Sequence, residues 1–173
     1  LDDSYTVRDR TPVKEYLLVD GYNIIFAWDE LSAVAREDVS AARQMLMDIL
    51  SNYQGFRKCE LILVFDAYKV KGNPGSVDRY HNIHVVYTKE AETADNYIEK
   101  VTLELGRQYR VRVATSDYLE QLIILGHGAM RVSARMFKEE VEQAEGQIAR
   151  LIQGYNRKNG EGAKLKDTAN IKY

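Results

Sequence analysis

The chain has 173 residues, 45% of them hydrophobic and 29% charged, which is enough for one ordinary globular domain with a sizeable core and cramped for two. Its formal net charge of −2 excludes the global basic field of a protein that attracts nucleic acid by bulk charge, so any such contact must be local. No run approaches the roughly 20 apolar residues of a membrane span, the opening LDDSYTVRDRTPVKE lacks the apolar centre of a signal peptide, and the single cysteine, Cys59, can form no internal disulfide. A chain in a reducing, cytoplasmic setting with no membrane partner is the expectation.

Residues 1–14 read as a polar leader or linker, and the start on Leu rather than Met suggests a piece of a longer polypeptide or a processed product. EYLLVD (15 to 20) is a short apolar run ending in Asp-Gly, the pattern of a buried strand, with a βα turn expected at GYN. Val39, Ala42, Leu46, Ile49, Leu50 and Tyr53 recur at the spacing of one helical face and mark the first helix. LILVF (61 to 65) and IHVVY (83 to 87) give two further strands, separated by residues 67 to 82, which read as a loop longer than the usual 4 to 6 or so. Ala94, Ile98, Val101 and Leu105 give a helix, VRVAT (111 to 115) a strand, Leu119, Leu122, Ile123 and Leu125 a helix, and AMRV (129 to 132) a short fifth strand. From Ser133, the series Phe137, Val141, Ala144, Ile148, Leu151, Ile152 and Tyr155 predicts a long amphipathic helix with Gly154 near its end. Residues 157–173 hold five Lys or Arg against two acids with little apolar patterning, and read as a mobile basic tail after a domain of residues 15–156.

Strands apolar on both faces and alternating with helices imply an α/β fold: three layers, α/β/α, around a mostly parallel sheet of four to five strands. In such a sheet ligands bind beyond the carboxyl ends of the strands. Asp20 and Asp66 end the first two strands, Asp117 follows the fourth, and Asp95 opens the helix after the third, so all four acids fall at that edge. Close carboxylates repel and are relieved by a cation. A hard oxygen donor set without supporting His or Cys points to Mg²⁺ or Mn²⁺ rather than zinc. Each acid also has a plainer reading. Asp117 with Glu120 three places on matches a capping arrangement, Asp95 suits a helix dipole, and Glu92 and Glu99 suit a solvated helix face.

Four separated segments, LLVDGYNII (17 to 25), VFDAYKVKG (64 to 72), TKEAETADNYIEK (88 to 100) and VATSDYLEQ (113 to 121), resemble the YacP-type NYN domain, a branch of the PIN-like nucleases. The resemblance implies a PIN-like fold, acidic metal ligands at Asp20, Asp95 and Asp117, a fourth acid at Asp66, and Asn23 orienting the first turn of the site. It also implies endonucleolytic cleavage of RNA, an association with mRNA decay and translation, and partners such as the ribosome or a fused translation-related domain. Lys69, Lys71, Arg79 and His81 in the long loop, with Lys89 after the third strand, offer a basic rim for single-stranded RNA, and Tyr68 and Tyr80 offer stacking surfaces.

Other site types lack their residues. There is no G-x-G-x-x-G or Walker A motif, and His81 and His84 are too sparse for zinc. A receiver or phosphatase-like Mg²⁺-binding domain remains an alternative, since Thr115 and Ser116 follow the fourth strand, although Asp-Gly-Tyr-Asn is not Asp-x-Asp. The other alternative is a non-catalytic RNA- or ribosome-binding adaptor. Four acids facing a phosphate backbone speak against it.

Overall fold

The computed structural model describes residues 14–68 and 71–170. Strand β1 (Glu15–Asp20) is followed by helices α1 (Gly21–Ala27), α2 (Asp29–Glu37) and α3 (Val39–Arg57), then β2 (Glu60–Phe65), β3 (Ser76–Tyr80) and β4 (Ile83–Tyr87). Helix α4 (Ala94–Leu105), β5 (Arg110–Ala114), α5 (Tyr118–Gly126), β6 (Met130–Val132) and α6 (Ala134–Asn170) complete the order. One sheet of six strands runs β3-β4-β2-β1-β5-β6, parallel throughout except for β3, which pairs antiparallel with β4. The α/β/α layering and the mostly parallel sheet agree with the sequence, with one more strand than the four to five expected.

Strand alternation divides the core in two. Leu17 and Val19 of β1 and Leu61, Leu63 and Phe65 of β2 face α1, α2, α3 and α6, packing with Ile24, Leu31, Leu46, Leu50 and Phe137. Leu18 and Val64, with Val111 and Val113 of β5, face α4 and α5 and pack with Ile98 and Ile124. Because successive side chains point to opposite faces, Asp20 falls on the face of Leu18, and Asp66 on that of Val64. Both acids are thereby aimed toward α4 and α5. The chain steps from β1 to β2 on one side and crosses from β4 to β5 on the other, so strand order reverses between β1 and β5. That reversal is where open α/β sheets bind ligands.

The same alternation sends Arg112, 6% exposed, to the opposite face, where Nη2 meets Glu140 Oε1 at 2.5 Å and Nη1 meets Glu15 Oε1 at 3.4 Å. Tyr53 donates to the other Glu140 oxygen at 3.1 Å, so β1, β5, α3 and α6 share one polar knot. The Trp28 indole donates to the Ala134 carbonyl at 2.8 Å and fastens the α1–α2 junction to the start of α6.

The structure departs from the sequence reading in three places. The segment read as a loop contains β3, an edge strand whose residues are nearly all exposed and so carry no apolar alternation. The expected turn at GYN is instead the start of α1, and α1 and α2 precede the helix read as the first, since pieces of seven and nine residues are too short to show a sustained period. The segment expected as a tail from residue 157 is helical, α6 continuing to Asn170. Gly154 and Gly160 cost about 1 kcal/mol each, too little to end a helix rich in Arg, Lys, Glu and Ala. Lys69 and the leader up to residue 13 lie outside the described residues. Among those described, no helix is long and apolar enough to cross a membrane.

Candidate metal centre

Asp20 closes β1 and is 3% exposed. Glycine follows because a Cβ at position 21 would come within 2.4 Å of the Phe65 ring, so the chain enters α1 directly from the strand only without a side chain there. Asp20 stands at the N-cap position of α1, yet its carboxylate makes no cap hydrogen bond. Instead Asn23 Nδ2 donates to Asp20 Oδ2 at 2.9 Å, and Asn23 Oδ1 accepts from the Ser116 hydroxyl.

On the other side of the strand-order reversal, Thr115 is fully buried; its hydroxyl donates to Glu120 Oε2 at 2.8 Å and accepts from the Asp117 amide at 3.1 Å. Asp117 Oδ1 accepts from the Glu120 amide at 3.3 Å, the capping arrangement read in the sequence. The cap turns Glu120 inward, where it is 5% exposed. Its second oxygen, Oε1, is buried without a hydrogen-bond partner.

Asp95 enters from the first turn of α4, exposed on its outer side. Thr93 caps that helix by accepting from the Asn96 amide at 3.1 Å, so Asp95 is not needed as the cap. One carboxylate oxygen from each of Asp20, Asp95 and Glu120 lies within 4.8 Å of the others. Asp66 braces the rim: Oδ1 accepts from the Tyr68 amide at 3.1 Å and Oδ2 from the Ala94 amide at 3.5 Å, tying the end of β2 to α4.

Crowding shows in the proton affinities. Burial first, and then the charge of Asp20, pushes the Glu120 carboxyl up to about 10. Burial pushes Asp20 up to about 6, with the charge of Asp95 adding to the rise while the neighbouring Glu120 and the Asn23 amide oppose it. Asp95 is also raised, by desolvation and then by the charges of Asp117 and Asp66. Three acids that resist ionising together are stabilised by one proton or by one cation between them.

Of the acids read from sequence, Asp20 and Asp95 converge, Asp117 serves at the α5 cap beside them, and Asp66 holds the rim. By sequence Glu120 is only a capping partner. The signal was its place one turn into a helix that starts from a strand-ending Thr-Ser-Asp, where an acid at that spacing turns back toward the strand end. Glu92 pairs with Lys100 at 3.1 Å and Glu99 with His127 at 3.3 Å, and neither belongs to the cluster of three. The basic side chains are split by the hairpin. Lys71 and Lys89 lie at the acid edge, whereas β3 runs antiparallel to β4 and carries Arg79 and His81 to the opposite edge, with Tyr80 paired to Ile83. There the Tyr80 hydroxyl bonds Asp48 and accepts from Gln44 at 2.6 Å.

The model of the YacP-like NYN domain matches residues 17–172. The chain belongs to the YacP-like NYN family. It is 42% identical over 139 residues to the protein YacP of Bacillus subtilis (strain 168), covering 80% of this chain and 81% of that one. It is also similar to two crystal structures of Rae1 (YacP) from Bacillus subtilis. One matches with a TM-score of 0.72 at 38% identity, covering 91% of this chain and 90% of the other; the second, of a point mutant, with 0.72 at 39%, covering 82% and 84%. The NYN family is related to the PIN-like nucleases, and the α/β architecture here is of that kind.

In this NYN domain the donor set fits a hard divalent cation: three carboxylates from three elements, no sulfur or imidazole, and one buried oxygen, Glu120 Oε1, lacking any other partner. Among the described residues, Asp20, Asp95 and Glu120 form the group able to hold it.

Proposed function

We propose that this NYN domain is a metal-dependent endoribonuclease that hydrolyses phosphodiester bonds of single-stranded RNA, acting in mRNA decay or in connection with translation in the cytoplasm. The observation that supports it best is the convergence of Asp20, Asp95 and Glu120 at the strand-order reversal, with a buried carboxylate oxygen unsatisfied by the protein. A phosphate-binding adaptor would gain nothing from such a cluster, since uncompensated acids repel the RNA backbone.

In this reading Asp20, Asp95 and Glu120 are the ligands of Mg²⁺ or Mn²⁺, with Asp117 and Asp66 beside them. When bound, the ion neutralises charge on the phosphodiester and eases attack by water. Asn23 and Thr115 hold Asp20 and Glu120 in place, so the acids need not reorganise when substrate arrives. Lys71 and Lys89, at the acid edge, supply local attraction for the backbone, with Lys69 beside them in sequence; Arg79 and His81 extend the charged surface to the far edge. Water attack leaves a 5′-phosphate and a 3′-hydroxyl. The ribosome is the partner to test, because it would present mRNA to the site in a fixed pose.

The test is incubation of end-labelled single-stranded RNA with wild type, Asp20→Asn and Glu120→Gln, with and without Mg²⁺ or Mn²⁺, alone and with translating ribosomes. Internal cuts that require metal and vanish in both variants support the reading. Binding without cutting in every condition replaces it with the adaptor.

A further inference from the structure

Next to the metal centre, Phe26 is 59% exposed, while its neighbours Ile24 and Ile25 are fully buried. Its ring lies nearly parallel to that of Tyr22, 24° between planes and 6.3 Å between centroids. Tyr22 is itself anchored, its ring against buried Phe65 at 5.2 Å and its hydroxyl accepting from Arg43 Nη1 at 3.1 Å. Phe26 is therefore an apolar ring presented to solvent from a fixed support. A cavity of about 290 Å³ opens there, lined by Tyr22, Asn23, Phe26, Ala27 and Ser116.

We propose that this cavity is a stacking subsite for one unpaired nucleobase of the RNA, with Phe26 as its platform and Asn23 and Ser116 at its polar edge. Three features favour a base over other occupants. The cavity is at the small end of ligand sites, which begin at roughly 300 Å³. It combines an aromatic face with an amide and a hydroxyl, the chemistry that accepts a flat heterocycle with hydrogen-bonding edges. It also shares Asn23 with the metal centre, because the residue that lines the cavity donates to Asp20 Oδ2. A base seated there carries its own phosphate toward the acids. Paired bases cannot enter, so the subsite selects single strands.

The placement of the scissile phosphate rests on the nuclease reading; base binding does not, and the experiment separates them. An oligoribonucleotide with one 2-aminopurine is titrated, in EDTA, into wild type, Phe26→Ala and Phe26→Tyr, with a blunt duplex carrying the same label as control. Base-aromatic stacking is worth about 1–3 kcal/mol, so wild type and Phe26→Tyr should quench the single strand, Phe26→Ala should bind about 5- to 150-fold more weakly, and the duplex should not be quenched. With metal added, Phe26→Ala should raise KM for single-stranded RNA while kcat changes little, and an abasic nucleotide at the seated position should abolish the difference between the two proteins. Quenching lost in Phe26→Ala from a protein that cuts no RNA keeps the subsite and removes the nuclease. Equal quenching and equal KM in wild type and Phe26→Ala overturn the subsite and leave Phe26 as a contact for a protein partner. Phe26 is exposed, so its alanine variant should melt like wild type, and a lowered Tm with restored binding in Phe26→Tyr still reports on the ring.

Discussion

Asp20 and Glu120 come from opposite sides of the strand-order reversal, yet their carboxylates lie within 4.8 Å of each other, each steered by a separate polar side chain, Asn23 for one and Thr115 for the other. The pair is costly for the protein alone. It becomes favourable when something positive sits between the oxygens.

Removing one member should therefore separate activity from stability. Glu120→Gln should lower RNA cleavage by at least about 10- to 100-fold, the loss that follows even when a residue that only supports a metal ligand is removed. The same change should leave the metal-free protein at pH 8 as stable as wild type or more so, since a buried carboxyl is replaced by a neutral amide of the same shape. Single-turnover cleavage and thermal melting in EDTA measure the two. Joint loss of activity and stability would mean that Glu120 is structural.

Proton affinity gives the second test. Asp20 and Glu120 are raised from ordinary values of 3.8 and 4.5 to about 6 and about 10. A carboxyl raised on folding binds more protons in the native state than in the unfolded one. Its stabilisation is thus complete below about pH 4, is lost as pH rises through the folded values, and falls by at most about 1.4 kcal/mol per pH unit for each proton. The metal-free protein should become less stable from pH 5 to pH 9. Excess Mg²⁺ or Mn²⁺ should flatten or reverse the slope, because the ion takes the proton's place. Melts across this range with EDTA and with metal decide it, and a flat metal-free profile would show that the acids do not crowd.

Gly21→Ala tests the entry into the site. The new Cβ meets the Phe65 ring, and overpacking of this kind costs about 1–3 kcal/mol. Phe65→Leu added to Gly21→Ala should recover part of the loss, since it removes the ring atoms that the Cβ strikes. Denaturant midpoints for the single and double variants give the coupling.

Arg112→Ala addresses the opposite face. It leaves Glu140 and Glu15 without their shared partner, and breaking a buried pair costs about 3 kcal/mol or more. Arg112→Ala with Glu140→Gln should cost less than Arg112→Ala alone, because the stranded charge is gone. Cleavage per folded molecule should be unchanged, as the knot lies across the sheet from the acids.

Much of this molecule was set locally. The apolar runs ending at Asp20 and Asp66 read as buried strands, and strand alternation sends both acids to one face, so the acid edge follows from that pattern. The family followed too, from four motifs in order. Tertiary structure decided what local pattern cannot encode. Asp117 and Glu120 have the same spacing as any helix cap, and only the crossing of β5 beside β1 turns that cap into a device for aiming Glu120 at Asp20. Strand β3 carries no alternation because neither of its faces is buried, and its direction relative to β4 alone removes Arg79 and His81 from the acid edge. Phe26 reads as one more apolar residue in GYNIIFA, and it is the packing of Ile24 and Ile25 into the core that leaves its ring to the solvent beside the acid cluster.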